Sequence, residues 1–115
     1  MSYVTGFLTP VPVENKERYI KSARDAWPLF QRYGAQKYVE CWGDQIGDGK
    51  TTDFKRAVKL EEGEQVVFAW IVWADRAAAD SAWEKMQADP AMKDMDMPFD
   101  GRRMIWGGFQ TVFES

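Results

Sequence analysis

The stretch Val66-Val67-Phe68-Ala69-Trp70-Ile71-Val72-Trp73-Ala74 constrains the fold of this chain more than any other. β-branched and aromatic side chains dominate it, so it predicts a strand from Val66 to Ala74. Successive side chains on a strand face opposite sides. One face then carries Val66, Phe68, Trp70 and Val72, and the other carries Val67, Ala69, Ile71 and Trp73. Both faces are apolar. An antiparallel sheet with one wet face alternates apolar with polar residues instead. The strand must therefore be covered on both sides.

The flanking segments supply one cover. Tyr3 to Leu8 predicts a short strand, which the prolines of Thr9-Pro10-Val11-Pro12 should end. From about Val13 to Tyr33 the period turns helical, with Tyr19, Ala23, Ala26, Trp27 and Phe30 on one stripe. Pro28 inside that pattern predicts a kink or a split, and Gly34 a stop. Tyr38 to Trp42 predicts a second strand, and Phe54 to Leu60 a short helical turn. Asp75 is placed to cap a helix through about Ala88, with Ala79, Ala82, Trp83 and Met86 as its apolar stripe. Asp89-Pro90 predicts a further short turn, and Met104 to Phe113 a last strand with a bulge or close approach at Gly107-Gly108. The order is β-α-β-β-α-β in one domain spanning 1–115. It predicts an α+β, ferredoxin-like fold: a four-stranded antiparallel sheet with both helices on one face.

Two helices cover only one face of such a sheet. Burying a large apolar side chain is worth roughly 1.5–3 kcal/mol, and an exposed row of them is an aggregation hazard. A second copy of the chain is the simplest cover, so a homodimer with facing sheets is expected. The alternative is that the loop at 43–60 and the methionine-rich segment fold over the open face of a monomer.

Four stretches carry a family resemblance: Tyr38-Val39-Glu40-Cys41, Ala57-Val58-Lys59-Leu60, Val66 to Val72, and Asp96-Met97-Pro98-Phe99-Asp100-Gly101-Arg102-Arg103-Met104-Ile105. Together they resemble the DUF1428 family of small bacterial proteins, the YbaA-like group, over nearly the whole chain. The resemblance implies a dimeric α+β barrel and carries over no catalytic residue. Some members of that family carry a description tied to signal recognition particle RNA.

The composition argues against RNA. Fifteen basic residues stand against 18 acidic ones, for a formal net charge of −3, and no basic cluster is longer than Arg102-Arg103. A nucleic-acid binder needs a basic face, so RNA is disfavoured and DNA is not expected. The same charge gives no reason to expect binding to anionic membranes. No apolar run nears the roughly 20 residues of a membrane span, and no signal peptide is read, so the expected location is the cytoplasm. There is no histidine and a single cysteine, Cys41. Histidine-based nucleophile systems and the usual zinc and haem sites are thereby excluded; an all-carboxylate magnesium or calcium site stays open in principle, and no cofactor is expected.

One motif invites a nucleotide. Gly43-Asp44-Gln45-Ile46-Gly47-Asp48-Gly49-Lys50-Thr51 ends as a P-loop does. A P-loop needs glycine five residues before Gly49, where Asp44 stands. The stretch is better explained as turn chemistry, and no nucleotide is expected.

Glu40 is the acid of most interest. It lies between Tyr38 and Trp42 on one strand face, and burial there would raise its pKa and make it a candidate base; a salt bridge at a sheet edge is the plainer reading. Cys41 faces the other way and is expected to be a small buried hydrophobe. Arg102 and Arg103 either clamp an anionic group or pair with nearby acids. Met86, Met92, Met95, Met97 and Met104 form a core or dimer wall, or else a lid.

The leading reading is a homodimer holding a small apolar or aromatic ligand, with Tyr3, Glu40, Trp42, Arg102 and Trp106 as candidate lining residues. The alternative is a non-catalytic scaffold or interaction protein, which should have a filled interior. Whether the protein is an enzyme is left open at this level.

Overall fold

A computed structural model describes residues 2–115. The elements are β1 (Tyr3–Pro12), α1 (Lys16–Arg32), β2 (Lys37–Trp42), α2 (Phe54–Ala57), β3 (Glu64–Trp73), α3 (Arg76–Ala88), α4 (Pro90–Lys93) and β4 (Ile105–Gln110), with a 3-10 turn at Val13–Asn15. The sheet order is β2-β3-β1-β4 and every pairing is antiparallel. This is the ferredoxin-like α+β fold. Glu64–Trp73 pairs on both sides, as its apolar composition requires.

β1 runs through both prolines instead of stopping at Leu8. Val13 donates its N–H to Gly63 on the β3 side, so by alternation Pro10 and Pro12 turn their nitrogens the other way. There β4 has already ended, with Ile105 opposite Leu8. A missing N–H costs nothing where no strand would accept it. α1 likewise stays one helix through Pro28. Ala26, Leu29 and Phe30, buried on both sides of Pro28, keep the segment packed against the sheet and offset the lost backbone bond. Gly34 ends the excursion at φ 109, a conformation that favours glycine. β4 is shorter than Met104–Phe113, and its Gly107-Gly108 pair makes no bulge: Gly107 lies opposite Gly6 and Gly108 opposite Thr5. The close approach is real, however. The ring of Phe109 lies against Gly6 and Gly107, and a side chain at Gly108 would strike the ring of Tyr3.

One face of the sheet packs under the helices. Ile71 and Trp73 of β3 meet Ala26, Leu29 and Phe30 of α1 and Ala79, Ala82 and Met86 of α3. The Trp73 indole N–H donates to the Thr5 hydroxyl at 3.0 Å, so this buried polar pair is satisfied. Asp75 caps α3 by accepting from the N–H of Ala78, and Asp89 caps α4 by accepting from that of Ala91.

The other face is open. Phe68, Ile105 and Phe109 are 45%, 44% and 60% exposed and surround an apolar hollow with Val4, Leu8 and Trp70. Cys41, opposite Phe68 on this face, is half-buried and not the buried hydrophobe its type suggested. The 43–60 loop does not close the face. It brings Phe54, whose ring meets Phe68 edge-on at 6.4 Å. Met92 and Met95 pack on the opposite, helical side.

The loop also answers the P-loop question. α2 is a single turn, and the Asp53 carboxylate already accepts from the N–H groups of Arg56 and Gly49. A phosphate would meet that carboxylate in its place.

Met86 is fully buried at the centre of the core. Met86→Ala is expected to cost about 2–5 kcal/mol of stability. Urea unfolding followed by circular dichroism measures this, and a loss under about 1 kcal/mol would show that the core relaxes around the gap.

Candidate functional site

Between the helical face of the sheet and helices α1 and α3 lies a cavity of about 700 Å³. Its roof is α4, which contributes Met92, and the connection from α4 to β4, which contributes Met95, Phe99 and Met104. Its one deep acid is Glu40.

β2 places Tyr38 and Glu40 on the same face because they are two residues apart. α1 brings Tyr19 to the same point from the opposite wall. The Tyr19 hydroxyl donates to Glu40 Oε1 at 2.6 Å, and the Tyr38 hydroxyl donates to Oε2 in a shorter contact. Each carboxylate oxygen therefore holds one phenol. Burial pushes the Glu40 carboxyl above its ordinary value, and the two phenol hydrogen bonds pull it part of the way back. Burial first, and then the neighbouring Glu40 charge, keep both phenols protonated well beyond the usual tyrosine range. The walls are aromatic. Phe30 meets Tyr38 edge-on at 5.0 Å, Phe99 meets Tyr19 edge-on at 5.7 Å, and Trp27 stacks on Tyr38 at 6.4 Å.

Two contacts hold the roof at α1. Arg18 grips Asp96 through both guanidinium arms at 2.7 and 2.6 Å, and the Asn15 amide donates to the Pro98 carbonyl at 3.1 Å. Its far end is held by Arg103, which binds both oxygens of Glu64 at 2.7 and 2.6 Å, Asp100 at 2.9 Å and the Lys59 carbonyl at 3.0 Å. The Arg103 and Glu64 side chains are 16% and 9% exposed, so this is a sheltered bidentate pair.

Three of the five candidate residues meet at the cavity: Tyr3, Glu40 and Trp106, the last at the mouth and 66% exposed. Trp42 does not join them. It packs on a smaller cluster of Val11, Tyr19 and Val67, with the Lys16 ammonium 5.2 Å from its ring. Arg102 is exposed in the Asp100–Arg103 turn and offers its backbone N–H to Asp100; its neighbour Arg103 does the pairing. Sequence reasoning missed Tyr19 and Tyr38 as partners of Glu40. Tyr38 was readable from its two-residue spacing, but Tyr19 is 21 positions away and had no local signal. Among the described residues no three acidic or sulfur side chains converge as a metal site needs, and no helix is long and apolar enough to cross a membrane.

Fold and cavity together define a ferredoxin-like domain with a phenol-bonded acid deep in an aromatic chamber. The chain belongs to the DUF1428 family, described as a protein of unknown function, whose profile matches residues 2–101. It is 48% identical to the uncharacterized protein YbaA of Escherichia coli strain K12 over 116 aligned positions, covering 99% of each chain. The YbaA of Shigella flexneri matches to the same extent. Among solved structures, a dimeric ferredoxin-like protein from an uncultured marine organism superposes over 100% of both chains, with a TM-score of 0.63 at 12% identity. That likeness establishes the shared fold.

The raised pKa of Glu40 has a stability consequence. The folded state holds this proton more tightly than the unfolded chain, whose carboxyl titrates near 4.5. The stability it lends is full below that value and is lost as pH rises through the raised one. Glu40→Gln removes the titration. Its melting temperature should gain on the wild type as the pH rises above about 4.5 towards neutral. A gap that stays constant across that range would contradict the assigned burial of the charge.

Proposed function

We propose that this protein is a homodimer that binds a small aromatic or apolar molecule in the chamber at Glu40. The observation that carries the reading is a carboxylate held by two phenols inside an aromatic cavity of about 700 Å³. Ligand sites are concave, mostly apolar and furnished with a few convergent polar groups, and the chamber has all three traits. Tyr3 and Trp106 would flank the ligand, and Glu40 would meet its polar end. A carboxyl with a raised pKa can also accept or return a proton there, which is the chemistry an activity at this site would use. Trp42 and Arg102, being outside the chamber, have no part in this reading. A cavity of this size between sheet and helices also weighs against the scaffold alternative, which expects an interior filled by side chains.

Ligand-observed NMR with bicyclic aromatic probes tests the binding. Wild-type protein should show saturation transfer. Ala23→Trp, which places an indole in the cavity wall, should lose it while keeping its circular dichroism. Transfer that is absent from the wild type, or unchanged in the variant, would refute the site.

The dimer rests on a separate observation, the open apolar face around Phe68, Trp70 and Phe109. Covering it needs a surface equally apolar, and a second copy presents one. The marine protein that shares this fold is described as dimeric. Sedimentation velocity should give about twice 13.3 kDa for the wild type and a monomer for Phe68→Asp. A monomeric wild type would overturn this part.

A further inference from the structure

The charge arrangement around the chamber points to a narrower ligand class. We infer that the chamber selects aromatic ligands carrying a positive ammonium group over neutral or anionic molecules of the same shape. This rests on the chamber being a binding site, as proposed above.

The acids of the lining are Glu40, Asp80 and Asp96, and its one basic residue is Arg76. Asp80 has Arg76 at 3.6 Å, and both are well exposed at the rim. Asp96 has Arg18 in a bidentate pair. Glu40 alone has no cation among the described residues; its partners are the neutral hydroxyls of Tyr19 and Tyr38. Bound to an ionised Glu40, a ligand would therefore meet one uncompensated negative charge deep in the site.

Each class of ligand fares differently there. A carboxylate oxygen has two lone-pair directions, and each oxygen of Glu40 spends one on a phenol. A remaining direction is open to a donor. An ammonium group supplies only donors and a full positive charge, and it would neutralise the buried carboxylate. The rings of Tyr19, Phe30, Tyr38, Phe99 and Trp106 line the same space, and aromatic faces attract cations. A neutral alcohol can make the hydrogen bond without neutralising the charge. An anion finds both phenol protons committed to Glu40, and the guanidiniums of Arg76 and Arg18 already facing acids.

A matched set of probes decides the matter: 2-(1-naphthyl)ethylamine, 2-(1-naphthyl)ethanol and 1-naphthylacetate, titrated calorimetrically into the full chain at neutral pH. The amine is expected to bind about tenfold more tightly than the alcohol, and the acetate most weakly. Glu40→Gln should weaken the amine about tenfold and the alcohol far less, and so erase the preference. The alcohol or acetate binding as tightly as the amine, or a preference that survives in Glu40→Gln, would overturn the inference while leaving the chamber a binding site. Amine binding that persists in Ala23→Trp would be attraction to the acidic surface and would equally overturn it. Failure of all three probes to bind would remove both this inference and the binding reading beneath it. The wild-type order is decisive even where a variant fails to fold.

Discussion

The structure depends on a central strand that has no polar face. Trp73, Ile71, Ala69 and Val67 bury the side that the helices reach, while Phe68 and Trp70 build the side that they do not. Every large feature follows from this division. The helical side becomes core and chamber, and the opposite side becomes a surface with the composition of an interior. An ordinary antiparallel sheet would put threonine, lysine or glutamate at those outward positions. Aromatics at those positions leave an apolar surface where polar side chains would ordinarily meet water.

The chamber is the complementary consequence. α1 and α3 pack on the sheet at Trp73 and Met86, and the chamber lies between them and the strand face that carries Glu40. The roof segment spans that gap and is fastened at both ends by arginine: Arg18 to Asp96, and Arg103 to Glu64 and Asp100. Methionine suits the stretch between because its flexible side chain fills irregular space without specifying one packing. The same segment therefore covers the site and keeps it hollow. Within it, Glu40 is tolerated because both oxygens are hydrogen-bonded, which meets the main cost of burying a polar group without supplying a counter-charge.

Much of this was legible in the chain. Alternation gave the correct partition of β3 residues between faces, and Asp75 and Asp89 announced the starts of α3 and α4. The errors have specific physical sources. The prolines at 10 and 12 are strand breakers only where a neighbour needs their N–H, and β4 ends before it would. Pro28 breaks a helix unless burial holds both sides of it. Trp42 shares a face with Glu40, but it packs on Val11, Tyr19 and Val67 and does not line the chamber. Arg102 and Arg103 are adjacent and chemically alike, and only the position of Glu64 selects the second.

The sequence by itself determined the elements, their order and the presence of two apolar sheet faces, because periodicity and capping act over a few residues. It also marked Glu40 as an acid on a strand surrounded by aromatics. Only the tertiary structure decided that Tyr19, 21 residues away, would join Tyr38 on that carboxylate. The same holds for the methionine segment roofing a cavity instead of covering the open face, and for Arg103 fastening that roof to Glu64, 39 residues away. These are contacts between positions with no fixed spacing. They exist only once the sheet register and helix packing have brought distant side chains within hydrogen-bonding distance.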